Sequence, residues 1–312
     1  MRFLVLGGVL AAGCVENGVS RIYKRDVYSQ DSGTFTVDYL WVVDNSGSMS
    51  EEQSNVVAGI SGFTSVLSGF GADWQVGVIT TDLSDDDAGA LVAPLLASTD
   101  ADFEARFAEA VAVGIDGDVT EEGLDAMALA TSDGLLQGAN AGLIRDDAAL
   151  EVIFVSDEDD QSPETTLHYV QLLEDLKGIG NARVSAVVGD LPEGCASPYA
   201  AADPATRYHE VSVSLSGFQD SICRKDLTDT MRSLALNGLG LTDTFPLTAV
   251  PDLESMEVRV DEVLVHQRDL NGWRYDAGEN AVILDGYAIP GPGSEVSIRY
   301  YEWLGHDDGA GT

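Results

Sequence analysis

The chain has 312 residues, 45% of them apolar, and carries 53 acidic against 16 basic residues for a formal net charge of −37. Such length and apolar content suffice for one large domain and a smaller one. The charge excludes a basic footprint for nucleic acid and electrostatic docking on anionic lipid, and the recurring apolar runs exclude a disordered chain.

At the N-terminus Met1-Arg2 precedes an apolar run from Phe3 to Ala12 and then Gly13-Cys14. A basic start, about ten apolar residues and small residues before a cleavage point describe an export signal, and the run is too short to span a bilayer. Leu10-Ala11-Ala12-Gly13-Cys14 resembles a bacterial lipobox, with Ala11 where Leu is usual. The resemblance implies removal of residues 1–13 and lipidation of Cys14. Val15, in place of Asp after the cysteine, points by the same analogy to the outer membrane or cell surface. A cytosolic protein with an apolar tail is the alternative. Residues 14–33 are polar and read as a tether.

From Thr34 to Val43 the residues Phe35, Val37, Tyr39, Trp41 and Val43 alternate, and Leu40 and Val42 make the far end apolar on both faces. That pattern predicts a strand entering a covered sheet. It runs into Asp44-Asn45-Ser46-Gly47-Ser48. Ser50-Glu51-Glu52-Gln53 then has the form of a capping box, opening a helix with Val56, Val57, Ile60, Phe63, Val66 and Leu67 on one face and an end near Gly69. Trp74 to Thr80 is a second strand, Asp82 to Asp87 a loop, and Phe103 to Val113 a short amphipathic helix. Asp116 to Thr120 forms another loop before a helix containing Leu124, Met127, Ala128 and Leu129.

Val152 to Val155 is a continuous apolar run, hence a central strand, and ends in Ser156-Asp157-Glu158-Asp159-Asp160. A helix with Leu167, Val170, Leu172, Leu173 and Leu176 follows, then a strand from Val184 to Val188. Tyr208 to Val213 reads as a last strand and Asp226 to Leu236 as a closing helix. Strands alternating with helices predict an α/β fold over residues 34–243, a doubly wound, mostly parallel sheet. Ligands of such sheets bind beyond the carboxyl ends of the strands. Asp44 and Asp157 lie just past two of those ends, and Thr120 just before a helix that starts at the same edge.

Over residues 244–304 short alternating runs separated by turn signals predict a small antiparallel β module, and 305–312 form a Gly/Asp tail. Two cysteines remain beside Cys14. In an exported chain Cys195 and Cys223 favour a disulfide closing a loop of about 28 residues, worth about 3 kcal/mol in the loop-entropy treatment. Four scattered histidines and the lack of Cys-x-x-Cys leave zinc and thiol-redox chemistry unsupported.

Asp44-x-Ser46-x-Ser48 after a buried strand, then a threonine-bearing loop and an acidic loop in that order, resemble the metal-ion-dependent adhesion site (MIDAS) of von Willebrand factor type A (vWA) domains. The likeness spans about residues 35 to 240, and the chain also resembles, more loosely at its C-terminal end, bacterial vWA-containing lipoproteins. Their disulfide-pinned insertion resembles residues 192–223, and their C-terminal extension the β module bearing Trp273, Tyr275, Val296 and Tyr300. The resemblance implies a metal set of Asp44, Ser46, Ser48, Thr120 and Asp157, with hydroxyls binding directly and aspartates through water. Mg²⁺ is the implied cation, with Ca²⁺ or Mn²⁺ as substitutes, and a carboxylate from a protein partner completes the coordination.

Two departures bear on that set. Where the family has Thr-Asp-Gly, this chain has Ser-Asp-Glu-Asp, so Glu158 and Asp159 either offer an additional cation position or are simply solvated. Thr120 also fits a first-turn helix residue within a capping box of Asp118 and Glu121. The function expected is surface-anchored, metal-dependent protein binding, with membrane contact only through the lipid anchor. Catalysis is not expected: the first motif has Ser where phosphatase-type loops carry a second Asp, and no Gly-x-Ser-x-Gly elbow occurs. A structural envelope protein whose metal only stabilises the fold, or a metal-dependent hydrolase, are the alternatives.

Overall fold

The computed structural model describes residues 21–30, 36–84, 87–118, 120–268 and 271–304. The expected signal segment, Cys14 with its expected lipid and the tail lie outside the described residues. The chain divides into two units, residues 34–240 and a smaller one in which residues 1–33 join 241–312.

Tyr23–Ser29 forms β1 of the smaller unit. The larger unit then runs β2 (Thr36–Val43), α1 (Ser50–Phe70), β3 (Asp73–Thr80), β4 (Leu96–Ala97), α2 (Phe103–Val111), α3 (Gly123–Ala130) and α4 (Asp133–Leu136). It continues with β5 (Ala149–Val155), α5 (Thr166–Lys177), β6 (Ala182–Val188), the hairpin strands β7 (Cys195–Ala196) and β8 (Ala201–Ala202), α6 (Thr206–Ser214), β9 (Gln219–Ser221) and α7 (Thr228–Gly238). Six strands form one sheet in the order β4-β3-β2-β5-β6-β9. All neighbours are parallel except the β3–β4 pair. The expected doubly wound α/β architecture is therefore present. Strand order reverses between β2 and β5, because the chain leaves β2 for β3 on one side and later places β5 on the other. That reversal opens the crevice in which such sheets bind ligands.

The sheet is covered on both faces, which explains why β2 and β5 are apolar throughout. On one face Leu40, Val42, Val152, Phe154 and Val184 pack with Leu124 and Met127 of α3, Tyr169 and Leu173 of α5, and Tyr208 and Val211 of α6. On the other, Phe63 of α1 meets Tyr39 and Trp41 edge-on, with ring centroids 4.8 and 5.7 Å apart. Phe107 of α2 completes that cluster against Trp41 at 5.3 Å. Helix α7 lies against α1 so closely that a Cβ on Gly62 would stand 2.2 Å from the Thr228 carbonyl oxygen.

Beneath α7 sits a buried acid. Glu151 faces Tyr39 and Arg183 across neighbouring strands and is fully buried. Its carboxylate accepts hydrogen bonds from the Ser185 hydroxyl and from Asn237 Nδ2 at 3.1 Å. Burial pushes this carboxyl up to about 7, against the bonds from Ser185 and Asn237 and the Arg183 charge. A raised folded-state value favours the protonated form. The stabilising contribution is therefore complete below the unfolded value of about 4.5 and is lost as pH climbs through about 7. In urea titrations between pH 5 and 8, wild type should lose stability relative to Glu151→Gln by up to about 3 kcal/mol; parallel pH profiles would refute this.

Three local expectations are corrected. Tyr208 to Val213 is not a strand but part of α6. Its buried residues Tyr208 and Val211 are three apart, a helical spacing, and the last strand is the polar β9. Neither expected capping box stands at a helix start: Met49 precedes α1 and Glu122 precedes α3, and neither provides a side-chain cap. Within the expected tether, Tyr23–Ser29 is a strand paired antiparallel with Glu295–Tyr301.

In the smaller unit β10 (Thr244–Pro246), β11 (Glu257–Val260), β12 (Val263–Val265), β13 (Trp273–Asp276), β14 (Ala281–Leu284) and β15 (Glu295–Tyr301) build two antiparallel sheets, β1-β15-β11-β12 and β10-β14-β13. Trp273, Val296 and Tyr300 are buried in its core, with Tyr275 partly buried against it. Asp26 of β1 is buried too, accepting bonds from the Thr248 hydroxyl at 2.7 Å and the Tyr300 hydroxyl at 2.8 Å.

Candidate metal centre

The site starts from Asp44, the first residue beyond β2 and fully buried. Its amide donates to the Val155 carbonyl at 2.9 Å, so the ends of β2 and β5 are joined directly. Asp44 Oδ1 accepts the Ser46 amide at 2.7 Å and Oδ2 the Ser156 hydroxyl at 2.6 Å. The first bond folds Asp44-Asn45-Ser46 into a tight turn in which the side chain replaces a backbone acceptor. That turn leaves the Ser46 and Ser48 hydroxyl oxygens 3.1 Å apart, with Ser46 buried and Ser48 exposed at the mouth.

Gln53 supplies a brace in place of the expected cap. Its Nε2 donates to the Asp44 carbonyl at 2.9 Å and the Gly114 carbonyl at 2.8 Å, tying the first loop to the second. The Gly117 amide donates to the Asn45 carbonyl at 2.9 Å. A Cβ on Gly117 would come within 2.5 Å of the Asn45 side chain, which would have to move aside.

The five sequence-designated residues lie on three loops at this edge. Asp157 is 5% exposed. Burial raises this carboxyl to about 6, with the Ser48 hydroxyl opposing and the charges of Asp44, Glu52 and Glu158 adding to the rise. Thr120 is exposed, and the residue turned inward on that loop is Glu121, 1% exposed. Glu121 Oε2 accepts the Thr81 hydroxyl, while burial and the adjacent Asp44 charge push its carboxyl up to about 8. The sequence reading missed Glu121 because it assigned that residue to a helix cap. Helix α3 starts two residues later, at Gly123, which leaves Glu121 in the loop.

The acidic third loop does not behave as one unit. Glu158 is half-buried, its carboxyl raised by burial and by the charges of Asp44 and Asp203. Asp159 Oδ1 is occupied by the Asp160 and Arg207 amides at 3.0 and 2.9 Å. Asp160 is neither solvated nor directed at the site. Buried, it accepts the Leu124 amide at 2.9 Å, the Ser162 hydroxyl at 2.7 Å and Arg207 Nε at 2.8 Å. The Cys195–Cys223 disulfide is formed.

The donor set suits a hard divalent cation. It is all oxygen, with two neutral hydroxyls adjacent and carboxylates behind them. Asp157 Oδ1 and Glu121 Oε1 are buried and accept no hydrogen bond, and buried anionic oxygens demand either a proton or a positive partner. Among the described residues no three His, Cys, Asp or Glu side chains converge as a cage, so a cation here would rest on Ser46, Ser48, paired carboxylates and water.

No protein-family model and no curated protein matches the chain. Solved structures with a similar chain course include the pilus adhesin SpaC from Lactobacillus rhamnosus GG, with 13% identity and a TM-score of 0.44 over 95% of this chain and 43% of that one. Proximal thread matrix protein 1 of the mussel byssus matches with 12% identity and a TM-score of 0.44 over 72% of this chain and 52% of that protein. Manganese-loaded TRAP protein of Plasmodium vivax matches with 13% identity and a TM-score of 0.37 over 80% of this chain and 94% of that one. The chain thus spans less than half of the pilus adhesin it resembles.

Proposed function

We propose that the chain is a surface-anchored, divalent-cation-dependent protein-binding module of the vWA type, which captures a carboxylate of a protein partner at the crevice between β2 and β5. One observation carries the reading: two loop hydroxyls 3.1 Å apart share that crevice with buried carboxylates whose Asp157 Oδ1 and Glu121 Oε1 have no protein donor. Ser46 and Ser48 would hold the cation directly, Asp44, Glu121 and Asp157 would hold and orient its waters, and Thr120 stands at the rim. A bound Mg²⁺, Ca²⁺ or Mn²⁺ would supply positive charge that neutral hydroxyls leave largely uncompensated, which favours an incoming carboxylate. The exposed Ser48 and Thr120 keep the mouth open to a partner, whereas Asp44, locked by Ser46 and Ser156, keeps the floor rigid.

Calorimetric titration of Mg²⁺, Ca²⁺ and Mn²⁺ tests the reading. Wild type should bind, Asp44→Ala should not, and Ser48→Ala, which removes one exposed hydroxyl and leaves the Asp44 bonds in place, should weaken binding at least tenfold. Capture of envelope proteins should then depend on the cation and disappear with chelator. Capture indifferent to chelator and to both substitutions would overturn adhesion; cation binding that raises stability and recruits no partner would favour a structural role.

A further inference from the structure

The four-stranded sheet of the smaller unit turns one face to its core, where Val258, Val296, Ile298 and Tyr300 are buried. Side chains alternate along a strand, so Tyr23, Arg25, Arg259, Arg299 and Tyr301 stand on the opposite face. The register sets Tyr23 opposite Tyr301, with the two rings 5.8 Å apart. Just past β15 the Trp303 amide donates to the Val250 carbonyl at 2.8 Å, and the Arg21 guanidinium lies 5.5 Å from the centroid of the Tyr301 ring. Tyr23 is 39%, Val250 50% and Trp303 56% exposed. Three separate chain segments thus bring aromatic and apolar side chains to one exposed patch that the cation site does not use.

The charge of this face departs from that of the molecule. On the four strands Arg25, Arg259 and Arg299 meet two carboxylates: Glu295 lies 3.8 Å from Arg25, and Glu257 is shared by Arg259 at 2.8 Å and Arg299 at 3.4 Å. Arg25 and Arg299 are direct cross-strand neighbours, a like-charge pairing that costs stability, and Arg299 Nε is buried without an acceptor. With Arg21 added beside Tyr301, the face is locally basic in a chain of net charge −37. Tyrosine, tryptophan and arginine together suit a lipid headgroup layer. The rings bridge hydrocarbon and water there, and guanidinium groups pair with phosphate.

We propose that this face rests on the membrane that holds the Cys14 lipid, with Tyr23, Val250 and Trp303 in the headgroup layer and Arg21 and Arg25 at the level of the phosphates. The proposal rests on the surface-anchored reading of the chain and goes beyond it, because membrane contact is then not confined to the lipid. Reach favours this occupant over a second copy or a soluble partner. Arg21 follows Cys14 by seven residues, so it stands within about 25 Å of the anchored cysteine however the intervening chain runs. Charge selects the orientation: a molecule too acidic to dock by its surface as a whole approaches phosphate at least cost with the face on which arginine outnumbers carboxylate.

Trp303 is its own reporter, since Trp41, Trp74 and Trp273 are at most 5% exposed. The lipidated full chain is reconstituted in phosphatidylcholine vesicles whose acyl chains carry bromine, a quencher of indole fluorescence. Wild type should be quenched. Trp303→Phe should lose most of that quenching while still floating with the vesicles, and the double variant Tyr23→Ser, Arg25→Glu should weaken it. Wild type that floats unquenched overturns the docked face and leaves the anchor standing. A chain whose Cys14 carries no acyl mass overturns the anchor, and the face is then judged by adding that chain to excess vesicles: quenching of Trp303 upholds it, and none overturns it. Trp303 shielded from iodide without vesicles, in a chain that sediments as a dimer, assigns the face to a second copy and overturns the lipid contact.

Discussion

Phe63→Ala is expected to lower the unfolding free energy of the larger unit by about 3–5 kcal/mol, the range for deleting a fully buried phenylalanine. Phe63 has no exposed surface. Its ring packs at 4.8 Å on Tyr39, 5.7 Å on Trp41 and 5.8 Å on Phe107, joining α1, β2 and α2. Transfer of the ring accounts for part of the loss, and the cavity left between two rigid layers for the rest, because neither the sheet nor the close α1–α7 contact at Gly62 can move in to fill it. Against a typical total of about 5–15 kcal/mol, this is a large fraction. Urea unfolding should show the midpoint falling with little change in slope. A loss under about 1 kcal/mol would mean that α1 can shift into the gap, and the first loop, which α1 anchors, would then shift with it.

Asp160→Ala should cost about 3 kcal/mol and should also weaken the cation site. Both Asp160 oxygens are engaged, by the Leu124 amide, the Ser162 amide and hydroxyl, and Arg207 Nε. Truncation strands these donors, and breaking a buried pair costs more than the pair contributes net, because the remaining partners are left without compensation. Arg207 is partly exposed and can recover some solvation, which holds the estimate at the lower end of the usual range. Asp160 also orients the loop that carries Asp157, and loss of such an outer support typically lowers metal affinity about tenfold or more. Thermal unfolding and Mn²⁺ titration of the same sample separate the two effects. Unchanged Mn²⁺ affinity in a destabilised Asp160→Ala would show that Asp157 is placed without Asp160.

The parts of the site that were legible from sequence are those written in local patterns. Asp44, Ser46 and Ser48 are offered by one turn whose conformation is set by the Asp44–Ser46 bond two residues apart. Asp157 follows an apolar run that could only be a central strand. Glu121 was not legible in its role. It matched a helix-start pattern, and only the actual start of the helix decided that its carboxylate is buried in the loop beside Thr81. The same holds for Asp160: in sequence it is one of four consecutive acids, and its burial depends on Arg207, 47 residues away.

The sequence by itself determined the alternation of strands and helices, the sheet edge at which the loops gather, and the change to antiparallel β structure near residue 244. Those features follow from hydrophobic period and turn chemistry, which act over a few residues. Tertiary structure alone decided that Tyr23–Ser29 pairs with a strand at the other end of the chain, with Arg25 bonded to Ser297 across 272 residues. It alone also made a helix of Tyr208 to Val213, whose apolar residues fit either period until packing under the sheet selected one. Which carboxylates face the crevice, and which are neutralised by arginine, is likewise set by contacts between distant loops, and a local pattern carries no record of those distances.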